Sequence, residues 1–330
     1  MTSAAQDAAS WLANPRATRE TLEAFGLATK HRLGQNFLVE DNIIRKIIRL
    51  AELTSDDVVL EVGPGLGTLT VAMLDYVRAV CSIEADRELE GVLATTCKEP
   101  HQDSFVLCMG DALKATPQLV GDAYASLGVF ADAQGKEASG TLIGPNKFVS
   151  NLPYQVAATL ILLFFQEFAT LEQAVVMVQA EVADRILAKP KTKAYGAYTA
   201  KLALYAQVSG RFEVAPGNFM PPPRVNSAVV RLERAPMTDP SGTGVLTSEQ
   251  LFWVARVIDA AFAQRRKTIR NSMGASGFKK DTLERALLAA HIEPTVRAEA
   301  LGVKDFVRLA MALAEGGAYG EETTFVHGQR

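Results

Sequence analysis

The stretch VVLEVGPGLGTLT, residues 58–70, constrains the fold more strongly than any other part of the chain. It begins with a short apolar run rich in β-branched side chains, which is typical of a buried parallel strand. Gly63, Gly65 and Gly67 follow, and a helix is predicted from about Thr68. Glycines between a strand and a helix let the backbone approach a ligand at the carboxyl end of the strand. The stretch therefore predicts an α/β fold with a ligand site at this turn.

The glycine spacing differs from that of a dinucleotide-binding turn. In the fingerprint G-x-G-x-x-G the last glycine would fall on Thr68, but here the third glycine comes one place earlier. This disfavours an NAD-dependent dehydrogenase and favours a nucleoside without a pyrophosphate. Glu84, about 20 residues on, ends the next predicted strand, where such folds hold ribose hydroxyls. Asp111, after the third strand, is a candidate acceptor for an adenine amine; the alternative is that both are ordinary solvated acids.

The order of predicted elements indicates two domains. Strands alternate with helices as far as residue 234, which predicts an α/β fold with a doubly wound, mostly parallel sheet. The segment 235–249, rich in Pro, Gly, Ser and Thr, is predicted to be a linker. Only helical patterns follow. We therefore expect a flexible extension over 1–20, an α/β domain over 21–234, the linker, an all-helical domain over 250–318 and a tail over 319–330.

Cysteine and histidine usage argues against a metal site. The three cysteines form no CxxC pair and the four histidines are scattered, so we expect no metal, and reduced thiols as in a cytoplasm. The longest apolar run, residues 156–165, is too short to cross a bilayer. The N-terminus lacks the pattern of a secretion signal. These features predict a cytoplasmic protein with no membrane partner.

Basic residues are concentrated in two segments although the net charge is −3. Such local concentrations matter more for phosphate binding than the average charge does. The alternative is two solvated helix faces. The candidate nucleic-acid contacts are Arg265, Arg266, Lys267 and Arg270 in one segment, and Lys191 and Lys193 in the other.

Several motifs together carry a resemblance to a known family. In chain order they are HRLGQNFL, LEVGPGLGTLT, IEAD, GDAL, NLPY, VQAEVADRI, KAYG, FMPPPRVNSAVVRL and QRRKTIRNS. From about residue 20 to about residue 315 the chain resembles the small-subunit ribosomal RNA adenine dimethyltransferases, the KsgA family. The resemblance implies a Rossmann-like methyltransferase with a helical C-terminal domain. The implied reaction dimethylates N6 of two adjacent adenosines near the 3′ end of 16S rRNA, with S-adenosylmethionine (SAM) as methyl donor. The implied partner is the small ribosomal subunit, and we expect the protein to be a monomer.

The resemblance also implies residue roles. The SAM contacts fall on the residues Asn36, Leu38, Gly63, Gly65, Glu84, Asp111 and Asn151. In the NLPY turn, Asn151 and Leu152 would offer carbonyl acceptors to the target amine. Pro153 would fix the direction of the Leu152 carbonyl, and Tyr154 would stack on the base. Phe219 is the candidate for the opposite face of the base, with a core aromatic at a strand end as the alternative.

Two departures from the family pattern leave questions open. Gln155 follows NLPY where the family often has Asn, and residues 119–146 are expected to be a surface insertion. Three rival functions remain: a DNA adenine methyltransferase, a 23S rRNA adenine N6-methyltransferase of the erythromycin-resistance type, and an RNA-binding assembly factor with little catalysis. The DNA enzyme is disfavoured because no target-recognition domain is evident.

Overall fold

A computed structural model describes residues 10–27, 35–129 and 144–318 of the 330-residue chain. The chain divides into two compact units. The first unit consists of the chain up to Ala183 together with the segment Val208–Arg234. The second unit consists of the segment Asp184–Gln207 together with the chain from Ala235 onward. No helix among these described residues is long and apolar enough to span a membrane.

A seven-stranded sheet forms the centre of the first unit, in the order β4-β3-β2-β5-β6-β9-β7. Strands β2 to β6 pair in parallel and β9 pairs antiparallel with β6. A separate ribbon joins β1 and β8. The strands are β1 (Phe37–Leu38), β2 (Val58–Val62), β3 (Ala79–Glu84), β4 (Phe105–Met109), β5 (Lys147–Asn151), β6 (Gln173–Gln179), β7 (Ala206–Val214), β8 (Phe219–Met220) and β9 (Ser227–Arg234). The predicted doubly wound, mostly parallel sheet is confirmed.

The strand order reverses beside β2. The chain runs outward from β2 through β3 to β4 and then returns to β5 on the other side of β2. In open α/β sheets, ligands bind at the carboxyl ends of the strands at such a switch point. The glycine turn after β2 and the NLPY turn after β5 therefore meet where this fold class places its ligands.

The helices follow the predicted alternation in the first unit and dominate the second. They are α1 (Pro15–Ala24), α2 (Asp41–Ala51), α3 (Thr68–Leu74), α4 (Glu90–Leu93), α5 (Pro117–Ser126), α6 (Ala157–Glu167), α7 (Ala180–Ile186), α8 (Ala197–Leu202), α9 (Ser248–Phe262), α10 (Ile269–Ala275), α11 (Lys280–Ala289) and α12 (Val303–Leu313). Thr247 and Gln250 form a capping box that starts α9 where the predicted linker ends.

Two segments expected to be irregular are helical instead. Helix α1 begins at Pro15, inside the expected loose extension, because the Asn14 side chain accepts the Ala17 N–H at 2.8 Å and proline occupies the first turn. Helix α5 covers the start of the expected surface insertion, and its Tyr124 is fully buried with the hydroxyl donating to the Val59 carbonyl at 2.8 Å. The first part of that segment therefore belongs to the core. Residues 1–9, 28–34, 130–143 and 319–330 lie outside the described residues.

The segment Asp184–Gln207 groups with the helical unit, although we expected it in the α/β domain. Tyr195 is one residue that connects this segment to the rest of the helical unit. Its ring lies 6.0 Å from that of Phe262 and its hydroxyl donates to the Leu301 carbonyl at 2.8 Å. Sequence patterns do not show such long-range contacts.

Candidate active site

A cleft opens at the carboxyl ends of β2, β3, β4 and β5. Its lining includes every predicted donor-contact residue, which are Asn36, Leu38, Gly63, Gly65, Glu84, Asp111 and Asn151, and also Leu152, Pro153 and Tyr154 of the NLPY turn. These residues come from five separate parts of the sequence. The parallel sheet brings them together because all of the turns follow strands that end at the same edge.

The glycine turn is in close contact with the NLPY turn. Gly63 has φ of +67°, and a Cβ at this position would lie 3.2 Å from Pro153 Cγ. Gly65 has φ of +63°, and its Cβ would meet the Phe37 ring at 3.2 Å. Side chains at these positions would be strained in this backbone conformation and would push the cleft walls apart. The two glycines therefore set the width of the cleft.

The Glu84 side chain, at the end of β3, accepts a hydrogen bond from the backbone of Gly65 in the glycine turn. The side chain is only 8% exposed, and its Oε1 accepts the Asp86 N–H at 2.9 Å. Burial raises the pKa of this carboxyl, while hydrogen bonds from the backbone of Asp86, Gly65 and Ala85 oppose the shift. Asp111 is exposed at the end of β4, where its Oδ1 accepts the Leu113 N–H at 3.0 Å. Of these two predicted contacts, Glu84 is therefore buried and Asp111 is open to water.

A short strap, residues 35–38, lies against both sides of the cleft. The Gln35 Nε2 donates to Asp86 Oδ2 at 2.8 Å, beyond the end of β3. On the other side, the Asn151 Nδ2 lies 3.5 Å from the Asn36 carbonyl oxygen and donates to it. This assignment of the Asn151 amide leaves its oxygen as an acceptor. Gln35 and Asp86 were missed by sequence reasoning, although both lie inside quoted motifs.

The NLPY turn is fixed at both of its ends. The buried Leu152 donates its N–H to the Met177 carbonyl at 3.1 Å. The Tyr154 hydroxyl lies 2.6 Å from Ser227 Oγ, and burial raises the pKa of this phenol. Pro153 packs on Gly63 between them. The turn is therefore held by β6, β9 and the glycine turn together.

Glu61 is a second buried acid at the cleft that sequence reasoning missed. It is 1% exposed, and its Oε2 accepts hydrogen bonds from Thr70 Oγ1 at 2.6 Å and Ser82 Oγ at 2.7 Å. Burial raises the pKa of this carboxyl to about 7, against the opposing effect of these hydrogen bonds. The signal was present, because an acid inside an otherwise apolar buried strand needs specific partners.

Comparisons with known proteins decide the family. The model of the family described as "Ribosomal RNA adenine dimethylase" matches residues 26–315. The protein named "Ribosomal RNA small subunit methyltransferase A" from Kineococcus radiotolerans is 38% identical over 315 residues, which is 95% of each chain. Its namesake from Acidothermus cellulolyticus is 39% identical over 89% of this chain and 92% of its own.

This chain belongs to the ribosomal RNA adenine dimethylase family.

Solved structures of two proteins share the fold. A dimethyladenosine transferase from Plasmodium falciparum has a TM-score of 0.66 and 23% identity, covering 85% of this chain and 98% of its own. The 23S rRNA methyltransferase ErmE has a TM-score of 0.57 and 24% identity, covering 84% of this chain and 100% of its own. At these identities the likeness concerns the fold of this adenine dimethylase family member and not its substrate.

Phe219 is a buried residue next to a strand that lines the cleft of this adenine dimethylase family member. It is 3% exposed, pairs with Leu38 in the β1–β8 ribbon and belongs to the hydrophobic core. It is not among the described residues that line the cleft. This burial favours the alternative interpretation, a core aromatic at a strand end, and the stacking role stays a prediction.

The two predicted basic segments of the helical unit lie side by side. Arg265 Nη2 donates to the Lys193 carbonyl at 3.0 Å. Lys191, Lys193, Arg265, Arg266, Lys267 and Arg270 are all exposed. Lys267 and Arg270 also line a shallow groove together with Lys280. The two basic segments, about 70 residues apart, therefore touch at Arg265 and Lys193. Acids lie beside two of the cations, with Glu299 at 4.0 Å from Arg265 and Glu284 at 3.6 Å from Arg270. We call these two segments the basic surface.

Among the described residues, no group of three or more His, Cys, Asp or Glu side chains is arranged to hold a metal ion.

Proposed function

We propose that this protein transfers methyl groups from SAM to N6 of two adjacent adenosines near the 3′ end of 16S rRNA, as part of small-subunit biogenesis. One observation carries the proposal. All seven predicted donor-contact residues and the NLPY turn line a single cleft, in a chain that belongs to the adenine dimethylase family. The name of its relatives, which specifies the small subunit, supports the choice of 16S rRNA.

The residues of the cleft fit a nucleoside methyl donor. Glu84, at the end of β3, offers carboxylate oxygens to ribose hydroxyls, and Asp111 offers an acceptor to the adenine amine. The glycine turn admits the donor close to the backbone because no side chain projects from Gly63 or Gly65. Bound SAM supplies an electrophilic methyl group on a positively charged sulfur.

The NLPY turn would prepare the target amine. An adenine amine is a weak nucleophile because its lone pair is delocalised into the ring. The Asn151 Oδ1 and the Leu152 carbonyl would accept the amine hydrogens and so favour a localised lone pair. The hydrogen bond from Asn151 Nδ2 to the Asn36 carbonyl supports this role, because it turns the amide oxygen away from Asn36. Tyr154 would stack on the base, a contact worth roughly 1–3 kcal/mol.

Alignment would supply most of the acceleration. Holding the amine in line with the methyl group makes the reaction effectively unimolecular, which lowers the barrier by up to about 7–11 kcal/mol. The amine reacts without prior deprotonation, so the proposal assigns no general base.

The basic surface of the helical unit would bind the rRNA backbone. Arg265, Arg266, Lys267, Arg270, Lys191 and Lys193 are the proposed contacts, and phosphate binding by such groups weakens as salt is added. The target adenosine would leave its stack to enter the cleft, which costs a few kcal/mol and less in a loop.

Incorporation of labelled methyl groups tests the choice of substrate. Purified protein and labelled SAM are offered unmethylated small subunits, free 16S rRNA, free 23S rRNA and duplex DNA in parallel. We expect label in the small subunit or its 16S rRNA. Label in 23S rRNA alone would show the erythromycin-resistance type of activity, and binding to small subunits without label would show an assembly factor.

A further inference from the structure

Ser227 is the hydrogen-bonding partner of the tyrosine in the NLPY turn. Its Oγ lies 2.6 Å from the Tyr154 hydroxyl, and the serine is 0% exposed. Tyr154 itself is half-buried and lines the cleft. The bond therefore connects a side chain at the proposed base site to a fixed point inside the first unit.

The backbone around Ser227 is held on a rigid element. Ser227 is the first residue of β9, which pairs with β6 in unbroken antiparallel register from Gln173↔Glu233 to Gln179↔Ser227. The preceding carbonyl, of Asn226, accepts the Ala180 N–H at 2.9 Å. The hydroxyl of Ser227 therefore has little freedom to move away from Tyr154.

A tyrosine ring held at both ends has a fixed long axis. Because a phenol O–H lies in the plane of its ring, the hydrogen bond to Ser227 also favours one ring plane about that axis. Tyr154 is attached at one end to a turn that packs on Gly63, and at the other end its hydroxyl is bonded to Ser227. Because stacked rings lie parallel, the plane of this ring sets the plane of a base stacked on it, and with it the height of the amine beside Asn151.

We propose that Ser227 is a positioning residue for methyl transfer, and that its hydroxyl holds the Tyr154 ring in the plane that aligns the target base. The inference rests on the proposed function. A misplacement of about 1 Å at a reacting centre costs on the order of 100-fold in rate, so a partial loosening of the ring has a measurable effect.

The second methyl transfer depends most on this hydrogen bond. In each transfer the amine nitrogen bonds to the methyl carbon, the S–C bonding pair stays on the sulfur, and the nitrogen loses one proton to water. After the first transfer the amine has one hydrogen left and keeps only one of its two acceptor contacts. Stacking on Tyr154 then carries more of the alignment, so a loose ring lets monomethylated product accumulate.

Two variants of equal size test the hydroxyl. Ser227→Thr and Ser227→Val add the same bulk to a buried position, but only threonine keeps the hydroxyl. In single-turnover reactions with small subunits, we expect the valine variant to be about 10-fold slower than the threonine variant. The rRNA methylated by the valine variant should also contain N6-monomethyladenosine, whereas the rRNA methylated by the threonine variant should contain the dimethylated base. The Kd for SAM should be the same for both.

Tyr154→Phe gives an independent test if the valine variant folds poorly. It keeps the ring and removes the hydroxyl, so it should show the same slow transfer and the same monomethylated product. Tyr198→Phe is the matched control, because among the described residues the Tyr198 hydroxyl is buried without a hydrogen-bond partner. This control should transfer at the wild-type rate.

The outcomes separate the two proposals. Equal rates and equal products for the threonine and valine variants, or wild-type behaviour of Tyr154→Phe, overturn the role of Ser227 and leave the proposed function intact. A wild-type protein that does not methylate small subunits overturns the proposed function and this inference with it.

Discussion

The Asn151 amide illustrates how one residue serves two parts of the cleft. Its nitrogen donates to the Asn36 carbonyl at 3.5 Å, and its oxygen remains the proposed acceptor for the target amine. The strap, residues 35–38, thus orients the Asn151 side chain, which would in turn position the target base. The proposed methyl transfer therefore depends on the Asn151 amide oxygen, and not its nitrogen, facing the target amine.

Replacing Asn151 with alanine should therefore reduce methyl transfer far more than it affects folding. We expect single-turnover transfer to fall on the order of 100-fold, as when a preorganised hydrogen-bonding group at a reacting centre is removed. Asn218→Ala is the matched control, because Asn218 lies in the same unit and its amide bonds only locally, to the Ala215 carbonyl at 2.8 Å. Normal transfer by the Asn151 variant, at unchanged thermal stability, would refute the acceptor role.

Glu61 shows a different constraint, that of an acid buried beneath the cleft. Its two hydroxyl donors, Thr70 and Ser82, stabilise the charged form, but burial outweighs them and raises the pKa to about 7. The folded state therefore binds a proton more tightly than the unfolded state, whose carboxyl titrates near 4.5. The stability gained from the protonated form is fully present below about pH 4.5 and is lost as the pH rises through about 7.

A Glu61→Gln variant should lack this pH dependence. The free energy of unfolding of the wild type, relative to the variant, should fall by up to about 3 kcal/mol between about pH 4.5 and about pH 7. Urea unfolding of both proteins across this range measures the difference, and groups common to both cancel. A difference that stays constant with pH would contradict the raised pKa.

At the scale of elements, Lys147 joins three pieces of the first unit. It is 9% exposed at the start of β5, and its Nζ donates to the Ala51 and Glu52 carbonyls at 2.8 Å each. The same Nζ lies 2.9 Å from Asp57 Oδ2, just before β2. The lysine therefore closes the carboxyl end of α2 over the start of the two strands that flank the switch point.

Lys147→Met should destabilise the fold by roughly 3–5 kcal/mol, because it leaves the buried Asp57 without its cation and removes one donor from each of two carbonyls. Lys201→Met is the comparison. Its ion pair with Asp259 at 2.8 Å is partly exposed, so its loss should cost less than about 1 kcal/mol. Both costs follow from urea midpoints, and equal costs would show that Lys147 contributes no more than a surface pair.

The elements that could be predicted from sequence are those whose signal is local. The strand, glycine turn and helix of residues 58–74 are predictable because β-branched residues, positive-φ glycines and a helical run follow one another directly. The start of helix α1 was missed because residues 15–19 are mostly polar and the helix depends there on the Asn14 cap. Helix α5 was missed because its buried Tyr124 finds a partner on β2, about 65 residues away.

The residues of the candidate site could also be predicted only where their signal is local in sequence. Turn residues at strand ends, such as Glu84 and Asp111, could be placed because parallel strands end at one edge. The roles of Ser227 and Lys147 could not be predicted. Ser227 meets Tyr154 only because β9 pairs with β6, and Lys147 meets its carbonyl partners only because β5 begins beside the end of α2. Phe219 could not be settled either, since an aromatic at a strand end fits both the core and a stacking site.

At the scale of the whole molecule, the proposed RNA contacts and the predicted donor contacts lie in different units. The chain has a net charge of −3, yet the helical unit carries six exposed basic residues on two segments that touch at Arg265 and Lys193. The predicted donor-contact residues all lie in the first unit. Substitutions on the basic surface should therefore affect RNA binding without affecting SAM binding.

Charge reversal at Arg265 and Arg266 tests this separation. We expect weaker binding to small subunits, a slope of log affinity against log salt that is shallower by roughly 1–2, and an unchanged Kd for SAM. Arg16→Glu with Arg19→Glu makes the same change of charge on exposed residues of α1. Equal weakening by both double variants would show a general effect of net charge, and no weakening would contradict the proposed RNA surface.

Mass spectrometry of 16S rRNA shows whether this protein dimethylates the two adenosines. Unmethylated small subunits are incubated with this protein and SAM, and the rRNA is digested and sequenced by fragment mass. We expect N6,N6-dimethyladenosine at two adjacent positions near the 3′ end, and far less of it from the Asn151→Ala variant in the same time. An unchanged 3′ end after incubation with the folded wild-type protein would contradict it.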